Sequence, residues 1–332
     1  MSESLERTVD FSAVIEGAYG TGTPETTAFT KAWWIFGAGS IHQTDTESRN
    51  LNPLSRSLSS RGEAIGRELQ KFNPGTMLMG HGGDPANWFL KSLLQMAGFA
   101  CTDDVPNSRT DAVYRSSGFE SGACSSYHDA VDGSGLLYRA VGCVATFSMS
   151  GRAGEEIAIT TDIQGKTFDV ANDPIVQAAP TVTYPTGGSI VHTMENEGLT
   201  ITVTGGSGAF TPVWRSFNLV AGWTISERRD ANSPKGLKGL RLTKRAPTLQ
   251  LVIEQDTDFL PELKASIRAG ASMYSAVHFI HGPGNGEQVE VSAILQAKNV
   301  TDSGDADLTV NTIEYALIDP AASDGELTIS AI

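Results

Sequence analysis

The stretch YHDAVDGSGLLYRAVGCVATFSMSGRAGEEIAITTDIQGK, residues 127–166, decides the fold class. Asp132–Gly133 is a hairpin-type turn signal, and the run Leu136–Met149 behind it alternates loosely between apolar and polar residues. A second turn, Gly151–Gly154, precedes Ile157 and Ile159, whose spacing of two puts both on one strand face. Gly165 marks a further turn.

The same pattern extends outward. Leu199, Ile201 and Val203 alternate and stop at Gly205–Gly206. Leu219–Ile225, Leu240–Leu242, Leu249–Ile253, Ala276–Ile280, Val289–Leu295, Leu308–Leu317 and Leu327–Ile332 are strand-like. Toward the N-terminus, Phe11–Phe36 gives two strands around a Gly/Thr-rich turn at Gly20–Pro24. Two segments carry helical spacing. In the first, Asp84 suits the N-cap, Pro85 the first turn and Gly98 the stop, with Phe89, Leu90, Leu93, Leu94 and Ala97 on one face. The second runs from Asp258 to Arg268, with Pro261 in its first turn and Gly270 after it. Between them in character is Ser40–Gly83, a polar stretch that reads as a long loop with a short helical turn around Arg61–Leu69. These elements predict a mainly β protein, a single domain over 1–332. Pro174, Pro180 and Pro185 mark a possible inserted β-region at about 173–212.

Composition narrows the function classes. Of 332 residues, 40% are hydrophobic, enough for a packed core. The 35 glycines favour strands joined by turns over long helices. A formal charge of −14 argues against a free chain that grips phosphate backbones. Cys101, Cys124 and Cys143 are odd in number and lack paired spacing, which points to reduced thiols. The first residues, MSESLERTVDFS, have no signal-peptide pattern, and no apolar stretch approaches the ~20 residues of a membrane span.

Six patterns in order resemble the tail tube (major tail) proteins of long-tailed, siphovirus-type bacteriophages. They are YGTGTPE at 19–25, NPLSRSLSSRGEAIGR at 52–67, DPANWFLKSLLQMAGF at 84–99, the 127–166 stretch, RRDANSPKGLKGLRLTKRAPTLQLVIE at 228–254, and HGPGNGEQVEVSAILQAKNVTDSGDADLTVNTIEYALI at 281–318. The resemblance implies a β-sandwich or barrel-type tube fold with one or two flanking helices and a long polar loop. It implies stacked hexameric rings whose lumen conducts DNA during ejection, with no catalysis and no cofactor. Its implied partners are other copies of the chain, the tape measure, tail tip and terminator proteins, and DNA only in passage. The implied location is the virion tail, assembled in the host cytoplasm without a membrane anchor.

Within that frame the charges suggest roles. Between Ile225 and Gln250 seven cations face two carboxylates. Arg228, Arg229, Lys235 and Lys238, with Arg56 and Arg61 in the polar stretch, are candidate inter-subunit contacts, where complementary charge sets register. Asp302, Asp305, Asp307, Glu155 and Glu156 are candidate lumen acids that would repel phosphate. Solvated turns on an outer surface account equally for each of these groups.

Enzymatic motifs are missing. His278 and His281 form HxxH without the HExxH of a helix-borne zinc site. Ser125, Ser126, His128 and Asp129 have triad composition, but a triad is defined by convergence in space. No GxSxG, GxGxxG or GxxxxGK[ST] occurs in the required setting. Trp33, Trp34 and Phe36 suit core or interface packing, or a base-stacking platform. The rival function is a carbohydrate- or receptor-binding β-sandwich, which would need a solvent-facing aromatic cluster in a groove; a hydrolase would need convergent catalytic groups.

Overall fold

The computed structural model describes residues 9–36, 41–50, 63–82, 84–85, 88–104, 109–114, 119–129, 134–184, 193–194, 198–204, 206, 208–270, 274–283, 287–305, 308–318 and 326–332. Strands dominate, as the alternation predicts. β1 (Val9–Ile15) and β2 (Ala28–Phe29) precede a hairpin of β3 (His42–Asn50) and β4 (Glu63–Phe72), then β5 (Thr76–Met77) and helix α1 (Leu90–Met96). A hairpin of β6 (Phe99–Asp104) and β7 (Arg109–Tyr114) follows, then β8 (Gly122–Asp129), the long β9 (Ser134–Arg152), β10 (Ala158–Thr167), β11 (Ile175–Ala178) and β12 (Thr181–Val182). The second half holds β13 (Leu199–Val203), β14 (Ala209–Phe210) and β15 (Trp214–Val220). It continues with an arm of β16 (Trp223–Arg229) and β17 (Leu237–Arg245), then β18 (Thr248–Glu254) and α2 (Phe259–Ala269). It ends with β19 (Ser275–His281), the long β20 (Val289–Asp305), β21 (Leu308–Leu317) and β22 (Leu327–Ala331).

β9 has 19 residues and is the organising strand. One of its edges carries β8 and, further along, β15. The other edge carries β11 and then β10. β10 continues to β4 and β5, and β4 to β3. On the far side β15 pairs with β18, β18 with β21 and β21 with β20, all antiparallel. β22 lies between β20 and β7 and so ties the end of the second half to the first. In the stretch 173–212, β11 pairs with β9, β12 with β2, and β13 with both β14 and β19. One apolar cluster runs through both halves and includes Phe11, Trp33, Phe72, Phe99, Phe147, Phe217 and Phe279.

The structure revises several local expectations. Ser40–Gly83 is not one long loop: among its described residues β3 and β4 form a hairpin in which Leu69, Gln70 and Phe72 are buried at the root. The expected turn of helix near Leu69 is strand, because that segment is taken into the sheet by β10. The first helix begins at Leu90, later than Asp84 and Pro85 suggest. The Trp88 indole donates to the Met79 carbonyl at 2.8 Å, and Trp88 and Phe89 are buried just ahead of the helix. Both helices stop where expected, at Gly98 and Gly270, with φ of 84° and 64°. Gly165 lies inside β10, not at a turn. A Cβ there would stand 2.4 Å from Cys143 Sγ, so the residue serves close approach at a bulge. Leu219–Ile225 is broken at Ala221–Gly222 into β15 and β16, which redirects the chain into the arm. After β1, the run Trp33–Phe36 is not strand but packs on the core, with the Trp33 amide on the Phe11 carbonyl.

Candidate functional site: a polar sheet face and two charged arms

Strand alternation gives the sheet β10–β9–β15–β18–β21–β20 two unlike faces. Ile159, Met149, Leu219, Leu249, Tyr315 and Ala297 lie opposite one another in a row and are all buried. One residue along, on the other side, Ala158, Ser150, Asn218, Gln250, Glu314 and Asn299 form an exposed or half-exposed row. A parallel row holds Thr160, Ser148, Val220, Thr248, Ala316 and Gln296. These side chains are short and mostly uncharged. Asp162 and Glu314 are balanced by Lys298 and Arg152, so the face carries little net charge. A shallow depression between Asn218, Gln250, Lys298 and Glu314 belongs to the same face.

The β3–β4 hairpin and the β16–β17 arm lie against each other through ion pairs. Arg67 contacts Asp45 at 3.0 Å and also Glu227, and Lys71 contacts Asp45 at 2.9 Å. Arg229 meets Glu47 at 2.9 Å and Glu227 at 3.3 Å. Lys71, first among its neighbours, holds the Asp45 carboxyl below the usual carboxylate range, and Arg67 adds to it. At the hairpin root the His42 ring stacks on Tyr138 with centroids 3.7 Å apart. Burial pulls its imidazole down from 6.5 to about 4.

Three of the four described basic candidates therefore contact this chain's own acids: Arg229 as above, Lys235 to Glu68 at 4.0 Å, and Lys238 to Asp230 at 3.3 Å. Arg228 is exposed on the same arm. Arg56 and Arg61 lie outside the described residues. Of the acid candidates, Glu155 and Glu156 are exposed in the turn between β9 and β10, at the rim of the polar face. Asp302 is exposed near the end of β20, and its register opposite Asn311 puts it on the side of Val300 and Ile313, away from Glu314. Asp305 ends β20, its side chain outside the description, and Asp307 lies outside the described residues.

The residues that sequence reasoning missed are the polar members of the rows and the acids Asp45, Glu47 and Glu68. A signal for the rows existed: Thr248 and Gln250 are the polar half of the alternation whose apolar half is Leu249 and Leu251.

Ser126 Oγ lies 2.9 Å from His128 Nε2, while Ser125 donates to the Glu25 carbonyl and Tyr127 to Asp129. His278 Nε2 is 2.6 Å from Glu290, and His281 is buried. Among the described residues no three His, Cys, Asp or Glu side chains converge as a metal site would require. No helix there is long and apolar enough to cross a membrane. Burial pushes the Cys143 thiol up, with Cys124 beside it. Trp33 is buried, and Trp34 stacks on Tyr184 at 4.4 Å.

A search of curated proteins finds no match to the chain. The family model described as phage tail tube protein matches residues 7–317, nearly the whole length. The chain belongs to the phage tail tube protein family and is a structural component of a virion tail.

Proposed function

We propose that this protein is the subunit of a bacteriophage tail tube whose rings, with six tube units around the lumen, stack into a channel for DNA during ejection. The observation that carries this reading is the continuous antiparallel sheet with one apolar and one small-polar face. A lumen wall for a polyanion needs to be wet and free of strong attraction. Ser, Thr, Asn and Gln rows satisfy both needs, because cations that would release counterions and hold DNA are few. The acidic rim at Glu155 and Glu156 adds repulsion at the channel mouth. The charged arms support contact between successive rings, with Arg228 and Arg229 exposed for it. Tape measure, tip and terminator proteins are the further partners. The protein acts without catalysis or a cofactor and is assembled in the host cytoplasm.

Electron microscopy of the purified chain, alone and with a tail-tip seed, tests the reading. Hollow tubes or rings are expected. Particles that stay dispersed after seeding would refute it. Substituting Asn218→Lys and Gln250→Lys together should leave tubes intact while slowing DNA exit; unchanged ejection would remove the polar face from the lumen.

A further inference from the structure

The two halves of the chain repeat one connection pattern. In the first, a hairpin (β3–β4) joins through β10 to the long β9, which also takes β8; β8 pairs with β1, and β11 returns to β9. In the second, a hairpin (β15–β18, with its tip bent into β16–β17) joins through β21 to the long β20, which also takes β19; β19 pairs with β13, and β22 returns to β20. The helix falls at the same point in each half. α1 packs on β1 and β9, and α2 packs on their counterparts β13 and β20. Even the irregularity repeats: the long strand bulges against its neighbour at Gly142–Cys143 and again at Lys298. Among the described strands β2, β5, β6, β7, β12 and β14 have no counterpart.

The halves are joined by sheet pairing, with Ser216 opposite Arg152 through Val220 opposite Ser148. The first strand of the second unit's hairpin, β15, thus lies on the free edge of the first unit's long strand. The two counterpart edges are open: among the described residues no strand pairs with the outer edge of β3, or with β20 beyond Leu295 on its β19 side. Both edges are solvent-facing and polar, with Gln43, Thr44 and Thr46 on one and Asp302, Ser303 and Gly304 on the other exposed.

We propose that this chain is two tube units in tandem, that β3 of one copy adds to β20 of the next as β15 adds to β9, and that three chains close a ring. The proposal rests on the tube reading and states which surfaces make it. The bulges fix the register. Counting from the first residue beyond each bulge, Val144 and Asn299, makes Ser148 equivalent to Ser303 and Met149 to Gly304. Ile163 opposite Phe72 matches Ile313 opposite Leu251, so His42 corresponds to Phe217 and Asp45 to Val220. The junction then sets Asp45 opposite Ser303 and Thr44 opposite Gly304. It also removes two exposed sheet edges, which are otherwise open to aggregation. A heterologous contact of this kind closes by rotation into a ring.

Size sets the number. Each unit brings four strands to the shared sheet, β3–β4–β10–β9 and β15–β18–β21–β20. At about 4.8 Å per near-axial strand and about 5 Å for each side-chain layer, two chains leave a channel of about 14 Å and three chains about 27 Å. Three is the smallest ring of such strands that passes a DNA duplex.

The test is a cysteine pair across the junction, Thr44→Cys with Gly304→Cys, oxidised after assembly and read on a non-reducing gel beside the unsubstituted chain. A ladder that ends at three chains is expected. A ladder that continues to six keeps the junction and overturns the count. Rings or tubes that form without cross-links overturn the junction. Absence of rings in the unsubstituted protein is the distinct failure of the tube reading itself. Should the double variant not fold, the mass of unsubstituted rings decides the count, three times 35.2 kDa against six times that value.

Discussion

Glu16 offers the sharpest perturbation of the fold. It is buried at the end of β1, and its carboxylate accepts from Gly20 N at 2.8 Å, Gly22 N at 3.1 Å, Ser121 Oγ at 2.5 Å and Gly142 N at 3.1 Å. One side chain thereby closes the 17–22 turn and anchors it to the bulge of β9. In Glu16→Gln one oxygen remains for Gly22 and Gly142. The new amide group faces the Gly20 N–H, while the Ser121 hydroxyl can turn and accept. One buried donor is orphaned and charge assistance is lost, which costs about 2 kcal/mol. Glu16→Ala leaves all four donors without their acceptor and should cost about 4–5 kcal/mol, less than four full penalties because water can enter the space. Urea unfolding of the two variants gives the comparison. Equal losses, or a loss below about 1 kcal/mol for the alanine variant, would refute the idea that the carboxylate organises this corner.

Three further outcomes are expected. Because the His42 imidazole is depressed to about 4 in the fold, the unfolded chain takes up its proton first as pH falls below 6.5. This stability is complete above pH 6.5 and declines toward pH 4, by up to about 3 kcal/mol; melting should show a flatter pH slope in His42→Gln than in the parent. Arg67→Ala should cost about 1–2 kcal/mol and raise hydrogen exchange in β16 and β17, since Arg67 joins the arms through Asp45 and Glu227; unchanged exchange would show the arms pack without it. Arg228→Glu should slow tube growth while leaving melting unchanged, because Arg228 is exposed; normal growth would take the arm out of ring stacking.

The strands with a clean apolar half were legible. Leu199, Ile201 and Val203 are buried while Thr200 and Thr202 are not, and α2 lies between the predicted Asp258 and Gly270. β4 was not legible because Arg67, Glu68 and Lys71 are strand residues held by ion pairs with the other arm and its neighbours, a long-range cause that no local window contains. Gly165 was misread because a bulge glycine and a turn glycine look alike in sequence. The candidate face escaped notice for a chemical reason: Ser148, Asn218 and Gln250 have no motif, and their alignment exists only in the register of six strands. The basic run was visible, but Arg229 and Lys235 find partners, Glu47 and Glu68, more than a hundred positions earlier.

β22 is clasped between β20 and β7, and side-chain contacts there span 219 and 221 residues of chain. At about 5–20 residues per second, a nascent chain exposes the edge of β7 for on the order of 10–40 s before its partner exists. The first half is therefore an unfinished surface throughout the synthesis of the second. Its completion is a timer within the chain: a subunit cannot be whole, and so cannot be added to a growing structure, until the segment at 327–331 has emerged and closed the edge at 110–113.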